Sequence, residues 1–399
     1  MKIVVAMDSF KSSISAACAC KIVEDTLRSI YPDFEIISIP MADGGEGTAQ
    51  AMMAARGGKW IERQVTGPLP EMKVKAGFAF FPETKVALVE MAKASGLELL
   101  SPGQANPLKT TTFGTGQLIK AAAEYGAKKI LLAVGGSATV DGGVGAAAAL
   151  GWKFLDSEGK EIGFGGGELE RIEKIIRPKN LDLPPIEVFC DVENPLVGSN
   201  GAARVFGPQK GATPEMVERL DAGLKHLAEV VKQQLGKQID KIPGGGAAGG
   251  LAAGAIAFMD AKLVSGIETI IRETGLAKEI KDADWVITGE GRFDSQSLRG
   301  KVVSGVTKAA KVGGAKVAVI AGRVTVSKHD WQDFGIIDVI GLSDETMDLS
   351  YAIANAKTLL ADAAKKLATE FFSHPRNIFR KTENTARGLR RGHREHRDF

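Results

Sequence analysis

Five short stretches of the chain gather carboxylates among glycines at the ends of apolar runs: MDSFKSS (7–13), PMADGGEGT (40–48), GGSATVDGG (135–143), CDVENPLVG (190–198) and TGEGRFDSQSLRGK (288–301). Together they offer hard oxygen ligands in Asp43, Glu46, Asp141, Glu290 and Asp294, and cations in Lys11, Arg204, Lys210, Arg299 and Lys301. Glycines let backbone N–H groups come close to an anion, and a helix opening behind such a loop adds partial positive charge. Phosphoryl transfer asks for this set: oxygen ligands for Mg²⁺, donors and cations around phosphates, and a carboxylate to take a hydroxyl proton. Loops of Asp and Gly are also ordinary turns. Their recurrence at five strand ends is what points to one assembled site.

Other chemistries fit less well. Gly300-Lys301 is followed by Val302 and lacks the upstream glycine of a P-loop, so a P-loop kinase is excluded. Gly244 to Gly249 does satisfy G-x-G-x-x-G, which makes a nicotinamide-dependent dehydrogenase the second reading. Its context is wrong, because VVKQQLGKQIDKIP before it reads as a helix broken by proline, where the fingerprint needs a strand. A non-catalytic nucleotide or RNA binder is the third reading. Only His226 and His329 fall before residue 373, so no histidine-based acid or metal cluster can be built.

The elements that would carry these loops follow an α/β rhythm. KIVVA, a helix over about 13–30, FEIISI and a helix from near Thr48 open the chain; WVIT, a helix through VVSGVTKAAK, VAVIAG, IIDVIGL and one helix over about 350–372 close it. Between them lie hairpin-like MKVKAGFAFF and KVALVEM, the buried run KKILLAV, the short run IEVFC, and a long helix with Thr213 as N-cap and Pro214 at its first position. The expected fold is α/β, with a discontinuous Rossmann-like parallel-sheet domain built from 1–65 and 280–372 and a mixed α/β middle domain over 66–279. Residues 373–399 form a basic tail with no apolar period, expected to be disordered and peripheral to function; no nucleic-acid partner is expected beyond a weak contact through it.

Composition agrees. With 399 residues, 44% hydrophobic, 25% charged and 48 glycines against 6% aromatics, the chain suits an α/β enzyme rich in tight turns. Asp8 interrupts the first apolar run too early for a signal peptide. The uncharged stretch 242–259 holds a proline and many glycines and is a poor membrane span. Cys18, Cys20 and Cys190 are too few for a disulfide framework or zinc site, which points to a reducing cytoplasm.

PMADGGEGT, GGSATVDGG, CDVENPLVG with AARVFGPQKGATPE downstream, PGGGAAGG and TGEGRFDSQS-x-x-GK resemble, in order, the signature segments of the type I glycerate kinase family. The resemblance covers about residues 1–370, and departs at Met7 and Val303, where the family commonly has proline. It implies ATP- and Mg²⁺-dependent phosphorylation of D-glycerate, usually to 2-phosphoglycerate, in a two-domain fold. The residue roles stay expectations. ATP phosphates are assigned to Gly135, Gly136, Ser137, Thr139, Gly289 and Gly291. Asp191, after a buried run, is assigned to activating the glycerate hydroxyl, with Asp8 and Lys11 as further catalytic candidates. Ser9, Arg204, Lys210 and Asn194 are assigned to glycerate, an Arg or Lys holding its carboxylate. Asp43, Glu46, Asp141 and Asp294 are the metal candidates.

Overall fold

The computed structural model describes residues 1–344 and 346–372, so the basic tail lies outside the described residues. Along it run the strands β1 (Lys2–Met7), β2 (Glu35–Ser38), β3 (Lys59–Thr66), β4 (Lys73–Phe81), β5 (Val86–Glu90), β6 (Lys129–Ala133), β7 (Lys153–Leu155), β8 (Lys174–Ile176), β9 (Ile186–Phe189), β10 (Lys262–Val264), β11 (Trp285–Phe293), β12 (Lys316–Val324) and β13 (Asp338–Ser343).

The chain is α/β, built on two large sheets. The first has the order β13-β12-β11-β1-β2, and every pairing in it is parallel. Its strands come from both ends of the chain. The order is that of a doubly wound sheet, and it reverses between β1 and β11, so the crevice beyond their carboxyl ends is where a ligand is expected. The second sheet has the order β10-β9-β6-β5-β4-β3; β5, β6, β9 and β10 run parallel, and the antiparallel hairpin of β3 and β4 forms one edge. A small β7-β8 ribbon stands apart.

Apolar runs such as KIVVAM and VALVE are buried almost throughout, as strands covered on both faces must be. One hydrophobic core joins the sheets: Val4, Ala6, Val286 and Val319 of the first share it with Ala79, Leu88, Leu131 and Phe189 of the second, and with Val303 and Val306 of helix Val302–Gly313. Shared burial fixes the sheets against each other. Val303 lies in the first turn of that helix, where the family's proline also fits, so this departure leaves the helix intact.

Thr213 caps helix Pro214–Leu235 by accepting from the Met216 N–H at 3.3 Å, with Pro214 at the first position. One expectation needs correction. The closing helix is two, Leu349–Ala354 and Ala356–Phe371, broken at Asn355, whose side-chain Nδ2 donates to the Tyr351 carbonyl. Behind GGSATVDGG the small residues form the short helix Val144–Ala149.

Candidate active site

The carboxyl ends of both sheets open onto one cavity of about 710 Å³. Its walls include Asp43–Gly45 beyond β2, Val134–Ser137 beyond β6, Phe189–Val192 at β9, Lys210, Ala247–Ala248, and Gln296 with Arg299–Lys301 beyond β11. Glycines make the approach of these loops physically possible. A Cβ on Gly135 would stand 3.1 Å from the Gly45 Cα, and one on Gly266 would collide with the Asp43 carbonyl while standing 3.0 Å from Asp191 Oδ2. Gly136 has φ +71°, a conformation that side chains resist.

The loop after β6 is pinned from outside. The Leu97 N–H donates to the Gly136 carbonyl at 2.9 Å and the Ala138 N–H to the Ser95 carbonyl at 2.9 Å. Gly135, Gly136 and Ser137 thus present themselves to the cavity. Thr139 does not: its hydroxyl is buried without a partner and it is absent from the cavity wall.

Asp141 is corrected as a metal candidate. It is 1% exposed, and Oδ2 accepts from the Thr112 N–H at 2.8 Å, the Thr112 hydroxyl at 2.8 Å and the Gly145 N–H at 3.3 Å, while Oδ1 accepts from the Gly143 N–H at 3.1 Å. It ties the loop to the helix Phe113–Glu124 and fills the amides at the start of Val144–Ala149. That helix terminus therefore has no donors left for a phosphate.

Other expected residues are also drawn elsewhere. The Arg204 guanidinium donates to Glu218 at 2.6 and 2.7 Å and stands 3.5 Å from Asp221, off the cavity wall. Asn194 donates from Nδ2 to the Asn200 carbonyl at 2.9 Å, and its own carbonyl accepts from the Gly246 N–H at 2.9 Å. Gly289 is a strand-packing position, since a Cβ there would strike the Ile320 carbonyl; Gly291 lets Phe10 and Lys11 pass within 3.3 Å. Glu46 pairs with Lys93 at 3.6 Å, and Asp294 accepts from the Gln296 N–H at 2.9 Å and lies 3.5 Å from Arg292. Lys11 is exposed.

Asp8 and Ser9 line a smaller cleft of about 170 Å³ with Met41, Glu46, Gly47 and Gln50. Burial pushes the Asp8 carboxyl up to about 7, with Asp43 and Glu290 adding to the rise and the Ser9 amide opposing it. Glu290, in β11, is likewise pushed to about 7 by burial, with Asp294 and Asp43 raising it further and Ser297 and Lys301 pulling back. Its Oε1 is buried with no hydrogen-bond partner. Asp8, just past β1, and Glu290, in β11, thus stand near enough to raise the Asp8 carboxyl where the strand order reverses.

Asp191 lines the cavity at the end of β9. Its Oδ1 accepts from the Gly266 N–H at 3.2 Å, at the start of helix Gly266–Thr274, which favours the anion. Although the residue is exposed, partial desolvation at the cavity wall is the larger influence and lifts its pKa to about 6, with Ser265 and Gly266 opposing and Asp43 contributing.

Glu90 was not singled out by sequence reasoning. It ends β5, is 3% exposed, and accepts from the Ala49 N–H at 3.0 Å, so a carboxylate of the second sheet caps the helix Thr48–Arg56 behind the acidic loop. The only signal was an acid closing the apolar run KVALVEM. The G-x-G-x-x-G stretch also has its explanation. It follows a turn rather than a strand, and a Cβ on Gly249 would collide with the Thr139 carbonyl, so its glycines allow two loops to touch. The dinucleotide reading is not supported.

A doubly wound sheet facing a second α/β sheet across a cleft of carboxylates and glycine loops defines an α/β enzyme class. Residues 3–371 match the family model described as the glycerate kinase family. Relatives include a glycerate kinase of Haemophilus influenzae, 46% identical over 92% of this chain and 98% of its own length, and a glycerate 2-kinase of Escherichia coli, 47% identical over 88% and 94%. A crystal structure from Salmonella typhimurium LT2, provisionally named glycerate kinase 2, superimposes with a TM-score of 0.85 at 43% identity, covering 94% of this chain and 98% of that one. The chain belongs to the glycerate kinase family.

Proposed function

We propose that the protein transfers the terminal phosphoryl group of ATP to a hydroxyl of D-glycerate, giving 2-phosphoglycerate. The observation that carries this reading is that Asp191 and Asp43 line the same cavity as the Gly135–Ser137 loop. Family membership supports the acceptor, and the name of the Escherichia coli relative, glycerate 2-kinase, supports the 2-position.

Asp191 takes the proton of the attacking hydroxyl. With a pKa of about 6 it is an anion near neutral pH, yet basic enough to share a proton as the bond forms. The loop amides receive the nucleotide phosphates, while Arg299 and Lys301, also on the cavity wall, supply positive charge. Lys301 is also the N-cap of helix Val302–Gly313, so the helix terminus adds to that charge.

The residues fit a divalent cation. Among the described residues no group of three or more His, Cys, Asp or Glu side chains is placed to hold an ion alone. Mg²⁺ commonly takes one or two carboxylates and completes its shell with phosphate oxygens and water. Asp43 on the cavity wall, with Glu290 and its unpartnered Oε1, would hold it, and Asp8 adds negative charge beside them. When bound, Mg²⁺ neutralises phosphate charge during transfer.

No helix among the described residues is long and apolar enough to cross a membrane, and the three cysteines are unpaired. Both agree with a place in the cytoplasm, where ATP is at hand. Mixing the protein with ATP, Mg²⁺ and D-glycerate and following phosphorus by NMR tests the reaction. A new phosphomonoester coupled to the C2 proton is expected. ADP formation that ignores glycerate refutes the kinase reading, and coupling to the C3 protons refutes the 2-position.

A further inference from the structure

Lys210 is the cavity cation that this reaction scheme has not used. It ends the turn Pro208–Lys210, far in sequence from the loop beyond β6, and is only 2% exposed. Its Nζ donates to the Ser137 hydroxyl at 2.7 Å and to the Thr139 carbonyl at 2.8 Å, and the residue lines the cavity. An ammonium carries three donors. Two are fixed by the loop, and the third is left for the cavity.

A buried ammonium held by neutral oxygens alone is an incomplete arrangement, because desolvating a charge is costly unless an anion answers it. Asp141 is the acidic group that acts on it, and Asp141 forms no ion pair with it: the oxygens of Asp141 are occupied by Thr112, Gly143 and Gly145. Burial accordingly pushes the Lys210 ammonium down to about 7, with Asp141 opposing. Beside it, the N–H groups of Gly135 and Gly136 make no hydrogen bond to any described residue. Lys210, Ser137 and these two amides lie together on the cavity wall, and no described residue supplies an acceptor for the amides or for the third ammonium proton.

We propose that Lys210, the Ser137 hydroxyl and the amides of Gly135 and Gly136 form a subsite for a nucleotide phosphate, Lys210 giving its third proton to a non-bridging oxygen. Lys210 then serves the phosphate donor and not the glycerate carboxylate, which falls to the Arg299 and Lys301 wall. Bidentate capture suits a planar carboxylate, and Arg299 provides it there. The subsite rests on the kinase reading only for the identity of its ligand as a nucleotide.

Lys210→Met keeps the length of the side chain and removes the buried charge, so the variant should melt at or above the parent temperature. ADP without metal is the probe, measured by calorimetry at pH 8 in two buffers of different ionisation enthalpy. The dissociation constant should rise about 10- to 100-fold, the loss of one charge-assisted hydrogen bond in a desolvated site. Proton uptake on binding, present in the parent as Lys210 charges to meet the phosphate, should be absent in the variant. The Michaelis constant for glycerate should change by no more than about twofold, since no interaction with it is removed.

Unchanged ADP affinity, equal proton uptake in both proteins, or a glycerate constant raised in place of the ADP constant would each overturn the subsite. Should Lys210→Met not fold, Ser137→Ala keeps the lysine and removes one member; ADP affinity should then fall several-fold, roughly the worth of a neutral hydrogen bond, and no change would equally overturn the proposal. ADP binding that depends on Lys210 in a protein showing no glycerate-dependent turnover leaves the subsite standing and removes the kinase reading instead.

Discussion

Asp141, in the loop after β6, and Glu290, within β11, are both buried carboxylates in glycine-rich stretches, and both are short of solvent. Their surroundings differ in one respect. Asp141 is met by the backbone and hydroxyl of Thr112 and by the amides of Gly143 and Gly145, all within 3.3 Å. Glu290 has an oxygen with no partner, and Asp43 and Asp294 press on it from nearby. The number of available donors, and not burial, separates a carboxylate that holds a loop together from one that the proposed reaction leaves free for a cation. The same division runs through the cavity: the wall beyond β6 is tied and donor-rich, and the region where β1 meets β11 is acidic and unsatisfied.

The largest effect is expected where the two regions meet. Asp191→Asn keeps the acceptor to the Gly266 amide but cannot take a proton, and loss of a general base lowers rate by about 10² to 10⁴. The parent kcat/KM should rise with pH through about 6, because the base must be ionised, and the variant should lose that limb. A variant within a few-fold of the parent removes Asp191 from the proton transfer and brings Asp8 forward.

A pair of substitutions tests the comparison directly. Asp141→Asn turns an NH₂ group toward amides that all donate, and should cost about 2–4 kcal/mol of stability, while nucleotide affinity of the folded protein stays near that of the parent. Glu290→Gln should do the reverse, holding or raising the metal-free melting temperature and weakening the response to Mg²⁺. Asp8 and Glu290 sit near 7 in the fold, above their ordinary values of 3.8 and 4.5. The folded state therefore binds their protons more tightly, and stability falls as pH rises from about 4 to 7. Mg²⁺ should accordingly raise the melting temperature more at pH 8 than at pH 5 in the parent, and less so in Glu290→Gln. Calorimetric scans that show equal Mg²⁺ responses in the two proteins, or an Asp141→Asn as stable as the parent, would erase the distinction drawn here.

What the sequence shows well is whatever is local. KIVVA, KKILLAV and IEVFC read as buried strands and are strands, and Thr213-Pro214 opens its helix with the hydroxyl cap expected of it. The cavity position of Gly135, Gly136 and Asp191 follows from their place just beyond strands of the second sheet. What stays hidden depends on segments far apart in the chain. Nothing around Asp141 in sequence announces Thr112, and nothing around Glu290 announces that Asp43 and Asp8 come near while one of its oxygens finds no donor. Asn355 also escapes periodicity, since its neighbours on both sides favour helix and the break lies in the asparagine itself.

The smallest effect belongs to Arg204, and it bears on the same contrast. In sequence it stands beside Lys210 as a cation awaiting a carboxylate; in the fold it has two, Glu218 held through both oxygens and Asp221 at 3.5 Å. These acids lie on helix Pro214–Leu235, so the guanidinium braces the outer side of the segment whose inner side delivers Lys210 to the cavity. Exposed ion pairs of this kind contribute little to stability. Arg204→Gln should therefore leave kcat and both Michaelis constants within about twofold of the parent, because it removes no contact that changes between ground state and transition state. Steady-state kinetics with each substrate varied in turn decides the matter. A glycerate constant raised tenfold with the nucleotide constant unchanged would mean that Arg204 leaves Glu218 for the substrate, and the cavity wall would then have to include the face on which the structure now places a surface ion pair.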